Sequence, residues 1–256
     1  MKLSLLIVGR KFNEEVKRAI ASAVDVCDDI WFVSTLSKAV VNDPRINSEY
    51  FKFEQDFSAV RNFAISKAEG DWFLFLDSDE VLSEELKNEL PNLLRDQTVD
   101  GYWLSRKTFI AKDRYLKHGL FYPDFQLRLF RNHMRYRYHG AVHEQLDIPA
   151  NKTKEVRFDI LHYPTHPKYT KYSDFKNVIP YMEIEEGDIR KQKFNSFYLI
   201  GKGIGTFFSL FFGGFFRGKG FLDGFAGLRA HIIFSLSIAL PYIMAATSQL
   251  KRKQTV

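Results

Sequence analysis

Cysteine is nearly absent from this chain, whose 256 residues include one, Cys27. A single thiol excludes an internal disulfide, the usual mark of a small secreted protein. The amino-terminal residues also lack the basic region, long apolar core and cleavage site of a secretory signal. We therefore expect a protein of the reducing cytoplasm, in which Cys27 is a packing residue and not a nucleophile.

Acidic residues are outnumbered by basic ones, which gives a formal net charge of +6. Several basic residues lie among aromatic and aliphatic residues near the carboxyl terminus. They are Lys202, Arg217, Lys219, Arg229, Lys251, Arg252 and Lys253. Basic charge beside apolar side chains favours an anionic membrane surface as a partner, and no nucleic acid is expected. The hydrophobic fraction of 45% excludes a disordered chain and allows a substantial core.

Long apolar runs are confined to residues Gly203–Phe216 and Ala230–Ala246. Both are shorter than the roughly 20 apolar residues of a spanning helix, and glycines or Pro241 interrupt them. We predict a monotopic helical hairpin in the cytoplasmic leaflet, with basic side chains among the headgroups. The alternative is a pair of helices that packs on the globular domain or in a dimer interface. The predicted domains are therefore residues 1–190 and a helical, membrane-associated appendage of residues 191–256.

Strand and helix patterns alternate in the amino-terminal part of the chain, which favours an α/β fold with a mostly parallel sheet. The predicted strands are Leu3–Val8, Ile30–Val33, a run that ends at Asp77, Tyr102–Phe109, Phe125–Phe130 and Phe158–Leu161. The predicted helices are Asn13–Ala23, Ser58–Ala68 with Asp56 or Ser58 as cap, and one that Ser83 caps and that reaches Leu94.

The strand that ends at Asp77 is followed directly by further acids, Asp79 and Glu80. Open α/β sheets bind ligands at the carboxyl ends of their strands. Two carboxylates with one residue between them can share a Mg²⁺ or Mn²⁺ ion, which also binds substrate phosphates. The alternative is an ordinary acid-rich turn in which Glu80 and Glu84 favour the start of the next helix.

Three segments together resemble the inverting glycosyltransferases of family 2. They are Asn13-Glu14-Glu15, the run from Asp56 to Asn62, and the run from Gly70 to Glu80. Three later segments resemble the bacterial subgroup that includes lipopolysaccharide core glucosyltransferases: Arg128–Arg131, Val142-His143-Glu144 and Gly220–Gly224. The resemblance implies a GT-A fold, which is a Rossmann-like mixed sheet flanked by helices. It also implies a nucleotide-diphospho-sugar donor and a divalent cation, Mg²⁺ or Mn²⁺.

The resemblance assigns roles to individual residues. Asp79 becomes the leading metal ligand, and Asp77 faces the nucleotide or shares the metal. The implied donor-binding residues are Asn13, Glu14, Ser34, Asp56, Arg61, Asn62 and Asp77. Arg61 can neutralise a diphosphate or pair with Asp77. Ser34 stands where family members commonly carry an aspartate, so the chain lacks one charge at the expected base or ribose site.

Glu144, the acid of the Val-His-Glu segment, is implied as the general base that deprotonates the acceptor hydroxyl. A histidine after this segment is implied as a further metal ligand, and we favour His162 because it closes a predicted strand. The competing histidines are His139, His143 and His166, and each can instead be a structural hydrogen-bonding residue.

We therefore expect a metal-dependent inverting hexosyltransferase on the inner face of the cytoplasmic membrane. It would transfer a sugar, from a UDP-sugar, to a lipid-linked or envelope glycan such as lipopolysaccharide core. One alternative is a non-catalytic glycan- or nucleotide-binding protein on the same fold. Another is a metal-dependent phosphotransferase or hydrolase, although no P-loop lysine signature is present.

Overall fold

The computed structural model describes residues 1–133, 135–140, 144–165, 167–169, 171–192 and 194–254, with side chains as far as residue 250. The chain forms two compact units. The first consists of residues 1–108 and 124–163, and the second of residues 109–123 and 164–256. The second unit thus includes residues 164–190, which the sequence interpretation placed in the first domain.

The strands, in chain order, follow the predicted pattern closely. They are β1 Leu3–Gly9, β2 Asp29–Ser34, β3 Ile46–Tyr50, β4 Trp72–Asp77, β5 Glu80–Leu82, β6 Gly101–Ala111, β7 Arg114–Tyr115, β8 Asp124–Arg131, β9 Tyr138–His139, β10 Gln145–Leu146 and β11 Thr153–His162. The helices are α1 Glu14–Ala21, α2 Phe57–Lys67, α3 Glu84–Arg95, α4 Ile179–Lys191, α5 Ser196–Phe211 and α6 Gly224–Gln254.

The main sheet has the order β3-β2-β1-β4-β8-β6-β11-β5. In this path β8 and β5 run antiparallel to their neighbours, and the other strands share one direction. The predicted α/β fold with a mostly parallel mixed sheet is confirmed.

The two central strands β1 and β4 are buried on both faces, which explains their continuous apolar sequence. Alternate side chains of β4 enter different cores: Leu74 and Leu76 pack with α1 and α3, whereas Phe73 and Phe75 pack with α2. Cys27 packs at the edge of the first core, and burial raises the pKa of its thiol to about 12. An inert packing thiol is what the sequence predicted.

Side-chain caps set the starts of the first three helices. Asn13, Asp56 and Ser83 accept hydrogen bonds from the backbone N–H groups of Val16, Ala59 and Leu86, respectively. The strands β3 and β5 were not predicted, nor were the two-residue strands β7, β9 and β10. Strand β3 is a largely polar strand at the sheet edge, and β5 has only three residues. Neither offers enough apolar periodicity to reveal a strand.

The second unit contains the apolar helices, and they are longer than the sequence interpretation allowed. α5 continues through a π-helical turn to Arg217, giving a helical segment of 22 residues from Ser196, and Gly220–Leu250 forms one of 31 residues. The expectation that both are too short to cross a membrane was therefore wrong, because residues outside the most apolar runs join each helix. By length and composition, both helical segments could cross a membrane. These two properties alone are weak evidence of a membrane span.

Within the second unit, residues 117–120 are held by two side chains. Asp223 accepts the backbone N–H groups of Lys117 and His118, each at 3.0 Å. The buried His231 ring contacts the same segment, since its Nε2 accepts the N–H of Leu120 at 3.4 Å. Gly119 has a φ of +75°, and a Cβ there would lie 2.1 Å from His231 Nε2, so this position requires glycine.

Candidate active site

Asp77 ends β4 on the side of the sheet that carries α2, because it continues the alternation of Phe73 and Phe75. Arg61, on the buried face of α2, donates from Nη2 to Asp77 Oδ1 at 2.8 Å. Arg128 of β8 donates to both Asp77 oxygens. Both carboxylate oxygens of Asp77 are thus bound by arginines.

Charge dominates the surroundings of Asp77. Burial alone would raise the pKa of this carboxyl, but the nearby charges of Arg128 and Arg61 outweigh it and hold the pKa well below its usual range. The same pairing, acting against burial, raises the pKa of both guanidinium groups. Asp77 is therefore ionised throughout the physiological pH range.

The buried Glu80 extends this network to a third arginine. Its Oε1 accepts from Arg128 Nη2 at 3.0 Å and from Arg106 Nη1 at 3.1 Å, and its Oε2 accepts the Asp77 backbone N–H at 3.0 Å. Arg106 in turn donates from Nε to Asp124 at 2.8 Å. The predicted contribution of Glu80 to a helix start is therefore replaced by a role in this buried ion network.

Glu144 lies directly before β10, which pairs with β9 in a two-stranded sheet of its own. Its Oε1 accepts from Nε of Arg61, 83 residues earlier in the sequence, at 2.6 Å. Arg61 thus joins Glu144 to Asp77. The Arg61 guanidinium also lies 4.4 Å from the centre of the Phe75 ring. Its buried Nη1 finds no hydrogen-bond partner among the residues that the structure describes.

Asp79 lies in the turn after β4, and its partner is a histidine and not an arginine. Its Oδ2 is 3.3 Å from His162 Nε2, and its backbone carbonyl accepts the N–H of Tyr163 at 2.9 Å. His162 Nδ1 is 3.0 Å from the hydroxyl oxygen of Thr108. The exposed fractions of the Asp79 and His162 side chains are 22% and 18%, so solvent reaches both.

A divalent cation fits Asp79 and His162 better than Asp77. An oxygen and a nitrogen that occupy neighbouring positions around Mg²⁺ or Mn²⁺ lie about 3 Å apart, close to the observed separation. Such a cation can complete its coordination with water and phosphate oxygens. Asp77, predicted to share the metal, has both oxygens taken by arginines. Among the described residues, no group of three or more His, Cys, Asp or Glu side chains is arranged to hold a metal ion.

Three predicted donor-binding residues are engaged elsewhere. Asn13 caps α1 and also donates to Glu15, and the exposed Glu14 forms an ion pair with Lys17 at 2.6 Å. The fully buried Ser34 donates its hydroxyl hydrogen bonds to backbone carbonyls within the first unit. These contacts give each side chain a structural role.

Two further predicted donor-binding residues, Asp56 and Asn62, lie directly before α2 and within it, respectively. Asp56 caps the helix, and hydrogen bonds from Ser58 and the helix backbone lower its pKa despite partial burial. Asn62 makes a reciprocal pair with the backbone of Tyr138: Nδ2 donates to the carbonyl at 2.9 Å, and Oδ1 accepts the N–H at 2.8 Å. Asn62 therefore positions β9, and with it the hairpin that carries Glu144.

The remaining histidines do not join this site in the described residues. His139 forms an ion pair with Asp147 at 2.5 Å, and both side chains are more than half exposed. Val142, His143 and His166 lie outside the described residues.

Sequence reasoning gave no role to Arg106, Arg128 or Thr108. The first two stand inside apolar strand patterns, where an arginine needs a buried acid as partner. That signal could have linked them to the acids after β4. Thr108 has no such signal, because threonine is an ordinary strand residue.

Part of this chain is similar to a known protein family. Residues 32–152 match the family model described as Glycosyl transferase family 2. This range contains the acids after β4, Arg61, Arg128 and Glu144. This match covers fewer than half of the 256 residues, so residues 32–152 resemble glycosyltransferase family 2.

Two relatives match part of the chain, and one of them is named a glycosyltransferase. The chain is 30% identical over 171 residues to a TPR repeat-containing protein of Synechococcus elongatus, covering 64% of this chain and 40% of that protein. It is 25% identical over 155 residues to the glycosyltransferase SunS of Bacillus subtilis, covering 58% of this chain and 35% of SunS. The chain thus spans about two fifths of the length of these relatives, or less.

An uncharacterized glycosyltransferase of Rickettsia conorii is 24% identical over 271 residues and covers 100% of this chain and 93% of its own length. Among solved structures, S. aureus TarS 1-349 has a TM-score of 0.45 and 13% sequence identity, covering 100% of this chain and 92% of its own. The matched family and the names of the sequence relatives support a glycosyltransferase.

Proposed function

We propose that this protein transfers a sugar from a nucleotide-diphospho-sugar to a hydroxyl group of a glycan, with inversion at the anomeric carbon. One observation carries the proposal: Asp79, which lies within the residues that match the glycosyltransferase family 2 model, is next to His162 at the carboxyl ends of β4 and β11, where open α/β sheets bind ligands. Glu144 stands on the arginine-lined side of the same turn.

In this mechanism Glu144 removes the proton from the acceptor hydroxyl as its oxygen attacks the anomeric carbon. The new bond joins that oxygen to the sugar, and the bond from the anomeric carbon to the diphosphate oxygen breaks. Attack from the face opposite the leaving group inverts the anomeric centre. Arg61 holds one oxygen of Glu144 in place through Nε.

Asp79 and His162 would hold a Mg²⁺ or Mn²⁺ ion, which when bound supplies positive charge beside the leaving diphosphate. Asp77 contributes differently in this proposal. Because it fixes Arg61 and Arg128, it orders the guanidinium groups next to Glu144. Its role is to position other side chains.

A UDP-sugar is the proposed donor, following the family resemblance. Calorimetric titration with UDP and then GDP, each with and without Mn²⁺, tests this choice. We expect binding of UDP that requires Mn²⁺ and is lost in Asp79→Asn. Glu155→Gln, at an exposed position of β11, is the control for a lost carboxylate. Failure of both nucleotides to bind the wild type would overturn the proposed function and favour a non-catalytic protein.

The proposed acceptor is a lipid-linked or envelope glycan, with lipopolysaccharide core as the case that the sequence resemblance suggests. Support comes from the apolar helices of the second unit, where phenylalanines form exposed stacks. The exposed members include Phe208, Phe212 and Phe216, each about half exposed. We propose that this face lies in the inner leaflet of the cytoplasmic membrane, as an interfacial helix does.

Flotation of the full chain with vesicles of phosphatidylglycerol and phosphatidylcholine tests the membrane proposal. We expect the wild type to float, and the triple variant Phe208→Ser, Phe212→Ser, Phe216→Ser to remain at the bottom of the gradient. Tyr50→Ser, at an exposed position of β3, is the control for loss of an exposed aromatic residue. Equal flotation of wild type and triple variant would remove these phenylalanines from the proposed membrane contact.

A further inference from the structure

Thr108 is placed to control the histidine of the candidate cation site. Its hydroxyl oxygen lies 3.0 Å from His162 Nδ1, on the opposite side of the ring from the Nε2 that faces Asp79. The three side chains form a line from Thr108 through the imidazole to the carboxylate. Each lies in the first compact unit, at a strand end or in the turn after β4.

The backbone explains why Thr108 is the residue opposite His162. β11 pairs in parallel with β6, and the register shifts by two residues between Val156 and Asp159. Before the shift Val156 lies opposite Leu104, and after it His162 lies opposite Thr108. Without this bulge the apolar Ile110 would face His162. Bulges of this kind commonly redirect side chains next to active sites.

The other edge of β11 fixes the distance from His162 to Asp79. His162 lies opposite Glu80 in the antiparallel pair of β11 and β5, and the N–H of Tyr163 donates to the Asp79 carbonyl at 2.9 Å. The histidine backbone is therefore held from both sides. The orientation of the His162 ring is not set by these backbone contacts. A hydrogen bond with Thr108 can set it.

The chemistry of imidazole then gives the hydroxyl a specific task. Nε2 can bind a cation only through its lone pair, so the proton of the neutral ring must lie on Nδ1. An Nδ1–H group needs an acceptor, and a threonine hydroxyl can accept or donate. Metal-bound histidines in general are oriented by such a partner on their second nitrogen, and its loss typically costs 10–100-fold in metal affinity.

We propose that Thr108 is a positioning residue of the cation site: its hydroxyl accepts the Nδ1 proton of His162 and so directs the Nε2 lone pair toward a divalent cation shared with Asp79. This inference rests on the proposed function, because it assumes a cation at Asp79 and His162. It adds a residue that the family motifs in the sequence do not mark.

The test is Mn²⁺ binding by the full-length protein without nucleotide, followed by the loss of the free Mn²⁺ signal in electron paramagnetic resonance. Thr108→Val keeps the branched shape of the strand residue and removes the hydroxyl. We expect it to weaken Mn²⁺ affinity about 10–100-fold. Thr108→Ser keeps the hydroxyl and should bind within roughly threefold of the wild type. Equal melting temperatures of the variants would establish that the fold is unchanged.

A second readout reports the tautomer directly. In protein with Mg²⁺, the ¹⁵N chemical shifts of the His162 ring should show the proton on Nδ1 for wild type and Thr108→Ser. In Thr108→Val the Nδ1 proton should be lost from part of the population. This measurement separates a role in ring positioning from a loss of packing, which would leave the tautomer as it is.

Asp79→Asn separates failure of this inference from failure of the site itself. If Asp79→Asn weakens Mn²⁺ binding and Thr108→Val does not, the role of Thr108 is refuted and the proposed cation site remains. If neither variant changes Mn²⁺ affinity, the cation is bound elsewhere, and both the inference and the proposed site are overturned. Equal weakening by Thr108→Ser and Thr108→Val would also refute the hydroxyl's role.

Discussion

Two acids of one turn, Asp77 and Asp79, have opposite surroundings. Asp77 is bound by Arg61 and Arg128, so its charge is fully compensated within the protein. Asp79 instead faces His162, and no arginine pairs with it in the described part of the chain, so its charge is open to a ligand. Two carboxylates with one residue between them can therefore have different roles. One orders arginine side chains of the protein, and the other is available to the divalent cation of the proposed function.

Glu144→Gln should have the largest effect on activity. It tests the group of residues around Asp77, which Arg61 connects to Glu144. Glutamine keeps the size of the side chain and cannot take up the acceptor proton. We expect the rate of sugar transfer to fall about 10²–10⁴-fold while UDP binding persists. Steady-state release of UDP and calorimetry measure the two quantities. A collapse of UDP affinity would instead make Glu144 a donor-binding residue.

Asp77→Asn and Asp79→Asn should differ in their effect on stability. The first leaves the buried Arg61 and Arg128 with one acid fewer, and we expect the free energy of unfolding to fall by about 3 kcal/mol. The second removes an acid that pairs with His162 and leaves no buried arginine without its partner, so it should change the free energy of unfolding by about 0.5 kcal/mol or less. Urea denaturation at pH 7 measures both. Equal losses of unfolding free energy would contradict the different surroundings assigned to the two acids.

Arg61→Lys should weaken the contacts with both Asp77 and Glu144, with a smaller but measurable effect on stability and transfer rate. A lysine retains the charge but lacks the planar fork that reaches Asp77 and Glu144 together. Losing one charged hydrogen bond costs about 1.5–3 kcal/mol, so we expect a comparable loss of stability and a slower transfer rate. Lys67→Arg, on the same helix at a half-exposed position, serves as the control. A fully active, fully stable Arg61→Lys would show that the bridge is dispensable.

Acidification should reduce the difference in unfolding free energy between the wild type and Asp77→Asn. The pKa of Asp77 is lowered in the folded state, so its contribution to stability is complete above the unfolded value of about 4 and is lost as the pH falls toward the folded value. We expect the gap between their unfolding free energies to be constant from pH 7 to pH 5 and to shrink below pH 4. Urea titrations at each pH measure it, and a gap that grows on acidification would contradict this assignment.

The sequence predicted the local features of the site and offered the pairing of Arg61 with Asp77, but it did not predict the contact of Arg61 with Glu144. The apolar run of β4 and the acids after it define a strand and its binding edge, because both signals lie within adjacent residues. The bridge from Asp77 through Arg61 to Glu144 joins three distant segments, and no periodicity reports such a contact. The bulge in β11 is equally hidden, since one extra pair of residues leaves the strand pattern unchanged.

Two of the predicted donor-binding residues also have a structural role. Asn13 and Asp56 are helix caps in the structure, and capping residues are the same polar types that bind ligands. Residue type alone does not distinguish the two uses. The backbone N–H groups that these side chains accept become visible only when the helix start is known in space.

The hairpin of β9 and β10 has a consequence for how such a protein diversifies. It is a two-stranded sheet separate from the ladder of the main sheet, and Glu144 stands where it closes. Insertions or exchanges in this ribbon leave the hydrogen bonds of β1, β4 and β8 untouched. Under the proposed function, changes in this ribbon would alter the acceptor side of the reaction and leave the end of β4 in place.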